Sequence, residues 1–146
     1  MFAGLSALFA GLSFLVIYRD YNRNNSKVEV KMSPAETIVA GETHQLIRCL
    51  VVNKGRRPVI INGFYFLLKN REQLVLPPSK WEGYFTFPKF PITIDEAQNF
   101  EFFLLLEELR DELQEKNVKV KALCFKDTAD NTYSFKIKKK YWKDLF

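Results

Sequence analysis

The sequence predicts a mainly β fold: a two-sheet β-sandwich with one short helix before its last two strands, preceded by an N-terminal transmembrane helix. Three observations predict it. Short apolar runs with period-two alternation recur along the chain, separated by turn signals containing Gly, Pro or Asn. One stretch, Leu106 to Leu113, changes to helical spacing. Met1 to Tyr18 holds no charged residue. The composition agrees. With 47% apolar and 27% charged residues over 146 positions, and only 6 Gly and 6 Pro, it is the balance of one folded domain, which excludes collagen and low-complexity chains.

Residues 1–18 come first. At about 1.5 Å per helical residue such a run spans roughly 27 Å, close to the hydrocarbon thickness of a bilayer. Arg19 and Asp20 end it. A cleaved signal peptide is the competing reading. Against it, no Lys or Arg precedes the apolar run, and Arg19-Asp20-Tyr21 follows where a small-residue cleavage site would stand. A buried soluble helix would show a polar face, and this segment has none. Arg19, Arg23, Lys27 and Lys31 follow the run, so the positive-inside rule puts the following domain in the cytoplasm. The segment also repeats itself: Phe2-Ala3-Gly4-Leu5-Ser6 recurs as Phe9-Ala10-Gly11-Leu12-Ser13. Ala3, Ala7 and Gly11 fall on one helix stripe, and small residues at that spacing let membrane helices approach closely, which predicts a homo-oligomer through the anchor.

Residues 19–26 read as a short polar linker and 27–146 as one domain, because no second break in composition follows. Val28 and Val30 alternate with Glu29 and Lys31 in a first strand expected to stop before Pro34. From Thr43 to Asn53, Ile47, Cys49 and Val51 share one face, and Leu46, Arg48, Leu50 and Val52 the other. Asn53-Lys54-Gly55 signals a turn. Pro58 to Leu68 is a strand pair or one strand kinked at Asn62-Gly63, and Gln73 to Leu76 a short strand before Pro77-Pro78. Asn99 to Leu105 reads as a buried strand. Leu106, Leu109 and Leu113 make the apolar stripe of an amphipathic helix that Asn117 stops. Val118, Val120, Ala122 and Cys124 alternate with Lys119, Lys121, Leu123 and Phe125. Asp127 to Asn131 is a turn, and Tyr133, Phe135 and Ile137 mark the last strand. An OB-like barrel also places a helix before its last strands. The sandwich fits the count better, with three or four strands before the long loop and three after it.

Cys49 and Cys124, 75 residues apart, are both expected on inward faces, where the second and sixth strands of an immunoglobulin-like sandwich oppose one another. In a cytoplasmic domain they are reduced core residues; outside the cell a disulfide would be reasonable.

The stretch Val51-Val52-Asn53-Lys54-Gly55-Arg56-Arg57-Pro58-Val59-Ile60-Ile61 resembles a hairpin of small, uncharacterised bacterial membrane-anchored proteins with an immunoglobulin-like β-sandwich domain. The Leu106-Glu107-Glu108-Leu109 helix and the hairpin from Phe125-Lys126-Asp127-Thr128 to Tyr133 are similar to theirs. The Phe- and Pro-rich segment from Pro77 to Pro91 departs from them. The resemblance implies an immunoglobulin-like sandwich, an anchor and a place at the bacterial inner (cytoplasmic) membrane. It implies no activity.

The residue types argue against catalysis. No Gly-rich phosphate loop or nucleotide fingerprint is present. His44 is the one histidine, with no nucleophile elbow or spaced acid to serve it, and is expected solvated or capping. The acidic helix lacks the oxygen spacing of a calcium loop and reads as a solvated face. No cofactor or metal is expected, and the chain is not expected to be an enzyme.

Three surfaces remain. Charge is segregated along the chain: residues 19–94 carry +6, residues 95–115 −7 and residues 116–146 +6. Lys119 and Lys121 are expected on one strand face, Lys136 and Lys138 on the face of its partner strand. Like charges placed together repel; anionic lipid headgroups, a nucleic acid or the acidic helix would compensate them. Nucleic acid is disfavoured, because the neighbouring aromatics alternate to the core face and do not interleave with the lysines. The second surface is the aromatic segment Trp81, Tyr84, Phe85, Phe87 and Phe90, either a lid over the core or a contact surface. The third is the C-terminal stretch with Tyr141 and Trp142, suited to a membrane interface. The predicted binding residues are therefore Trp81, Tyr84, Phe85, Phe87, Lys119, Lys121, Lys136, Lys138 and Trp142. The function they predict is a single-pass membrane-tethered β-sandwich that binds a protein partner and does not catalyse. The alternatives are a structural or assembly subunit of a membrane oligomer and an OB-like nucleic-acid-binding domain.

Overall fold

Two antiparallel sheets account for the strands of the computed structural model, which describes residues 13–19, 27–76 and 87–138. Residues 13–19 form a short helix, α1. Among the described residues no helix is long and apolar enough to cross a membrane. The remainder of the expected anchor, residues 1–12 with their repeat, and linker residues 20–26 lie outside the described residues.

The first sheet begins with a hairpin, β1 (Val28–Val39) and β2 (Glu42–Asn53). Its two turn residues, Ala40 and Gly41, have φ of 53° and 85°. Two positive φ values make a turn whose twist matches that of the flanking strands. Pro34 does not end β1 as expected. Among the described residues β1 is an edge strand, paired only with β2. The Lys54 amide donates to the Lys27 carbonyl at 2.6 Å, and the unbroken register sets Pro34 opposite Ile47. Counting alternate hydrogen-bonded pairs from Lys27 leaves Pro34 at a non-bonded position, its nitrogen directed off the sheet edge, where a missing donor costs nothing. β6 (Asn99–Leu105) adds to the other side of β2.

The second sheet is built on β3 (Val59–Leu68), with β7 (Val120–Asp127) and β8 (Thr132–Lys136) on one side. On the other side β3 pairs with two short strands, β4 (Gln73–Leu74) near its end and β5 (Ile92–Ile94) near its start. β5 escapes the sequence reading, since three residues after Pro91 give too short an alternation. A register shift between Ile61 and Gly63 bulges β3 at Asn62, so Pro58 to Leu68 is one kinked strand.

The core lies between the sheets. Met32, Ile47, Cys49, Val51, Phe102 and Leu104 come from the first; Ile61, Phe64, Phe66, Leu68, Leu123 and Phe125 come from the second. α2 (Leu106–Lys116) follows β6 without a break and closes one end with Leu106, Leu109 and Leu113, the predicted stripe. Asn117 ends it in the left-handed region at φ 48°, and the Val118 amide returns to the Leu113 carbonyl at 3.2 Å. That closure satisfies carbonyls the helix would leave open. His44, expected solvated or capping, is not solvated: it is 6% exposed, near the end of β2 that α2 packs against.

Two buried polar residues hold the opposite end. Asn53, fully buried, donates through its side-chain amide to the carbonyls of Arg57 at 2.7 Å and Ile94 at 3.0 Å, and its Oδ1 accepts from the Gly55 amide at 2.9 Å. It ties the first sheet to β5 of the second. Asp127 accepts from the Ala129 and Asn131 amides at 2.9 and 2.8 Å, and from Asn131 Nδ2 and the Tyr133 hydroxyl at 2.9 and 2.8 Å.

The cysteines are free and buried, and they do not face one another. Cys49 belongs to the core between the sheets. Cys124 pairs with Tyr65 across β3 and with Ser134 across β8, while Leu123 and Phe125 pair with the core residues Phe66 and Phe64. It therefore lies on the outer face of its sheet. The expectation failed because a second register shift, between Leu67 and Leu68, inserts Lys121 as an extra residue. Past that bulge the inward phase passes from Val120 to Leu123 and Phe125. Burial raises the Cys49 thiol far above its ordinary value. Burial raises Cys124 too, against the pull of its hydrogen bond with Tyr65.

Candidate binding surface

Among the described residues the sandwich leaves two features uncovered, an apolar groove and a lysine-bearing edge. The groove follows from the bulge in β3. β4 pairs with β3 at Phe66 and Leu67, and β5 at Val59 to Ile61, so Asn62 to Tyr65 have neither strand beside them. Asn62, Gly63 and Phe64 form the wall there, and Val75, Leu76, Phe87 and Phe90 complete a groove of about 460 Å³. A Cβ placed on Gly63 would meet no atom within 4 Å, which marks how open this wall is. Val75 stands on the rim, 66% exposed.

Phe64 organises the floor. Its ring centroid lies 4.8 Å from that of Phe102, and 5.9 Å from each of Phe87, Phe90 and Phe125, with tilted planes. Tilted and edge-on pairs at such separations are favoured by the ring quadrupole. Phe87 and Phe90 are half-buried and packed on the core, so this end of the aromatic segment covers the sandwich. Trp81, Tyr84 and Phe85 lie outside the described residues, as does Trp142.

The lysines are arranged differently from the sequence expectation. β7 and β8 are partners, but Lys136 stands opposite Ala122. Lys121 is the bulge residue, and its carbonyl accepts from the Ile137 amide at 3.1 Å. The carbonyl of Lys119 accepts from the Lys69 amide at 2.9 Å, which brings in a fifth lysine from the end of β3. Lys69, Lys119, Lys121, Lys136 and Lys138 are all exposed. None of them joins an ion pair among the described residues, where the pairs are Lys31–Glu29, Lys54–Glu29, Arg48–Glu101 and Lys126–Asp130. They gather at the end of the second sheet where α2 leads into β7, away from Lys27, where the described domain begins.

Sequence reasoning missed Lys69 and the groove wall for one reason: both depend on which strands β3 meets, and long-range pairing leaves no local pattern. The Asn62-Gly63 kink was the available signal for the groove. Among the described residues no three His, Cys, Asp or Glu side chains gather as a metal site would require.

No protein-family model matches the chain, and no curated protein matches it. A solved X-ray structure of a Northeast Structural Genomics Consortium target aligns with 80% of this chain and 84% of its own, at 12% identity and a TM-score of 0.30.

Proposed function

We propose that this chain is a single-pass membrane-tethered β-sandwich that works by binding a partner and not by catalysis. The observation that carries the tether is the exposure of α1. Phe14, Leu15, Val16, Ile17 and Tyr18 are consecutive helical residues, each more than half exposed. Consecutive positions point all round a helix, so no face of it is buried on the sandwich. An apolar helix without a polar face belongs in an apolar surrounding, and the uncharged residues before it extend the run to the thickness of a bilayer. The cations after it, Arg19, Arg23, Lys27 and Lys31, put the sandwich on the cytoplasmic side.

The sandwich is immunoglobulin-like in this reading. Strand order supports it: with the short β4 and β5 set aside, β1-β2-β6 opposed to β3-β7-β8 repeats the A-B-E and C-F-G arrangement of that fold, without a counterpart of its fourth strand, D. Cys49 and Cys124 fall on the strands that carry its inter-sheet cysteine pair, although Cys124 points outward. Binding is supported by two features, the apolar groove with its exposed rim at Val75 and the lysines that join no ion pair among the described residues.

Washing membranes that hold the full chain with alkaline carbonate tests the tether. The chain is expected to stay with the lipid; its release into the supernatant overturns the reading.

A further inference from the structure

The five lysines lie far from the point where the chain enters the domain. Lys27 is bonded to Lys54 beside Asn53, and Asn53 is bonded to Ile94 at the start of the second sheet. The amide of Thr128, just past β7, donates to the Ile60 carbonyl at this same end. Lys121 and Lys136 sit at the other end of β7 and β8. From Lys121 to Asp127, six strand steps at about 3.3 Å each make roughly 20 Å.

We propose that Lys69, Lys119, Lys121, Lys136 and Lys138 form a docking edge for anionic lipid headgroups, so that the sandwich lies down along the leaflet that anchors it. This rests on the tether proposed above. Three points favour lipid over another polyanion. The five lysines have no carboxylate partner among the described residues, although Glu72 in the adjoining turn and Glu115 near the end of α2 are their neighbours in the chain. The anchor keeps an anionic surface permanently at hand, and each lysine brought near such a surface adds to the attraction. The reach also suffices: the seven residues 20–26, at about 3.3–3.6 Å each, can extend to at most roughly 23–25 Å. That exceeds the 20 Å or so between the two ends, so the domain can tip over until both touch the membrane.

The test uses the full chain in nanodiscs of neutral phosphatidylcholine and of phosphatidylcholine with about a third phosphatidylglycerol. Amide hydrogen exchange is read over residues 68–70, 118–122 and 134–138, with the Asn53–Pro58 loop as reference. Slower exchange at the lysine segments in the anionic discs alone is expected, lost in 0.5 M salt and lost in K119E/K121E/K136E. Equal exchange in both disc types overturns the docking edge while leaving the tether standing. Protection that is the same in both and depends on protein concentration assigns the edge to the acidic α2 of a second copy, and also overturns it. A chain that does not enter discs at all overturns the tether, and this inference with it.

Discussion

At the scale of single residues, the ends of the sandwich depend on groups that give no hydrophobic signal. Asn53 looks like an ordinary turn residue in sequence, yet it is fully buried and satisfies three backbone groups at once. Asn53→Ala leaves the Arg57 and Ile94 carbonyls and the Gly55 amide without their partner. Buried groups orphaned in this way cost about 1–3 kcal/mol each. With water reaching some of them, denaturation of the full chain in detergent is expected to show a loss of about 3 kcal/mol. Ala40 presents the opposite case. Its φ of 53° strains a residue with a Cβ, at about 1–2 kcal/mol, whereas Asn tolerates this region. Ala40→Asn is expected to stabilise the chain by about 1 kcal/mol; a destabilised variant would mean that the hairpin turn is not limited by this strain. Asp127 adds a pH dependence. Burial alone would raise its carboxyl, but hydrogen bonds from Asn131, Tyr133 and the Ala129 amide bring it below its ordinary value of 3.8. A carboxylate whose folded value is depressed contributes stability that is complete above its unfolded value and lost as pH falls through the folded one. Stability is therefore expected to hold from neutral pH to about pH 5 and to fall below about pH 4, a fall that Asp127→Asn reduces.

At the scale of elements, legibility follows the range of the interactions. β2 and α2 were readable because each carries a complete periodic stripe: Ile47, Cys49 and Val51 on one, Leu106, Leu109 and Leu113 on the other. The order of the helix and the last two strands was readable for the same reason. Pro34 misled because proline ends a strand only where its nitrogen should donate, and which edge of β1 is free depends on a partner far along the chain. Cys124 misled because one extra residue, Lys121, inverts the alternation of β7. The groove was hidden because β4 and β5 stop short of each other along β3. Its aromatic floor makes a graded prediction. Phe64, 7% exposed and in contact with five other rings, is a core residue, and Phe64→Ala is expected to cost about 3–5 kcal/mol. Phe87 touches the same ring from a half-buried position, so Phe87→Ala is expected to cost about 1–2 kcal/mol. A Phe87→Ala loss as large as that of Phe64→Ala would make the segment part of the core, and no loss at all would detach it from the sandwich.

At the scale of the whole molecule, the positions of the two cysteines separate fold from compartment. Had Cys49 and Cys124 faced one another, their oxidation state would have reported on the side of the membrane that the proposed tether gives the domain. Cys49 is sealed between the sheets and Cys124 is on the outer face, so no bond can join them without rebuilding a sheet. Stability of the full chain is therefore expected to be the same with and without a reductant in either compartment. A reductant-sensitive midpoint would contradict the placement of Cys124. Topology has to be read another way, and the charge pattern states the expectation. Arg19, Arg23, Lys27 and Lys31 lie within the short stretch after the apolar run, where cations govern orientation, and Asp20 and Glu29 weigh little against them. A reporter joined after Phe146 is expected to be active only as a cytoplasmic fusion. Replacing the four cations with Gln removes the bias without touching α2 or the core, so mixed or inverted activity is expected from that variant. A native fusion active only outside the cytoplasm would turn the molecule over. The lysine edge would then face the outer leaflet of the same membrane, where the inference about lipid docking would have to be tested afresh.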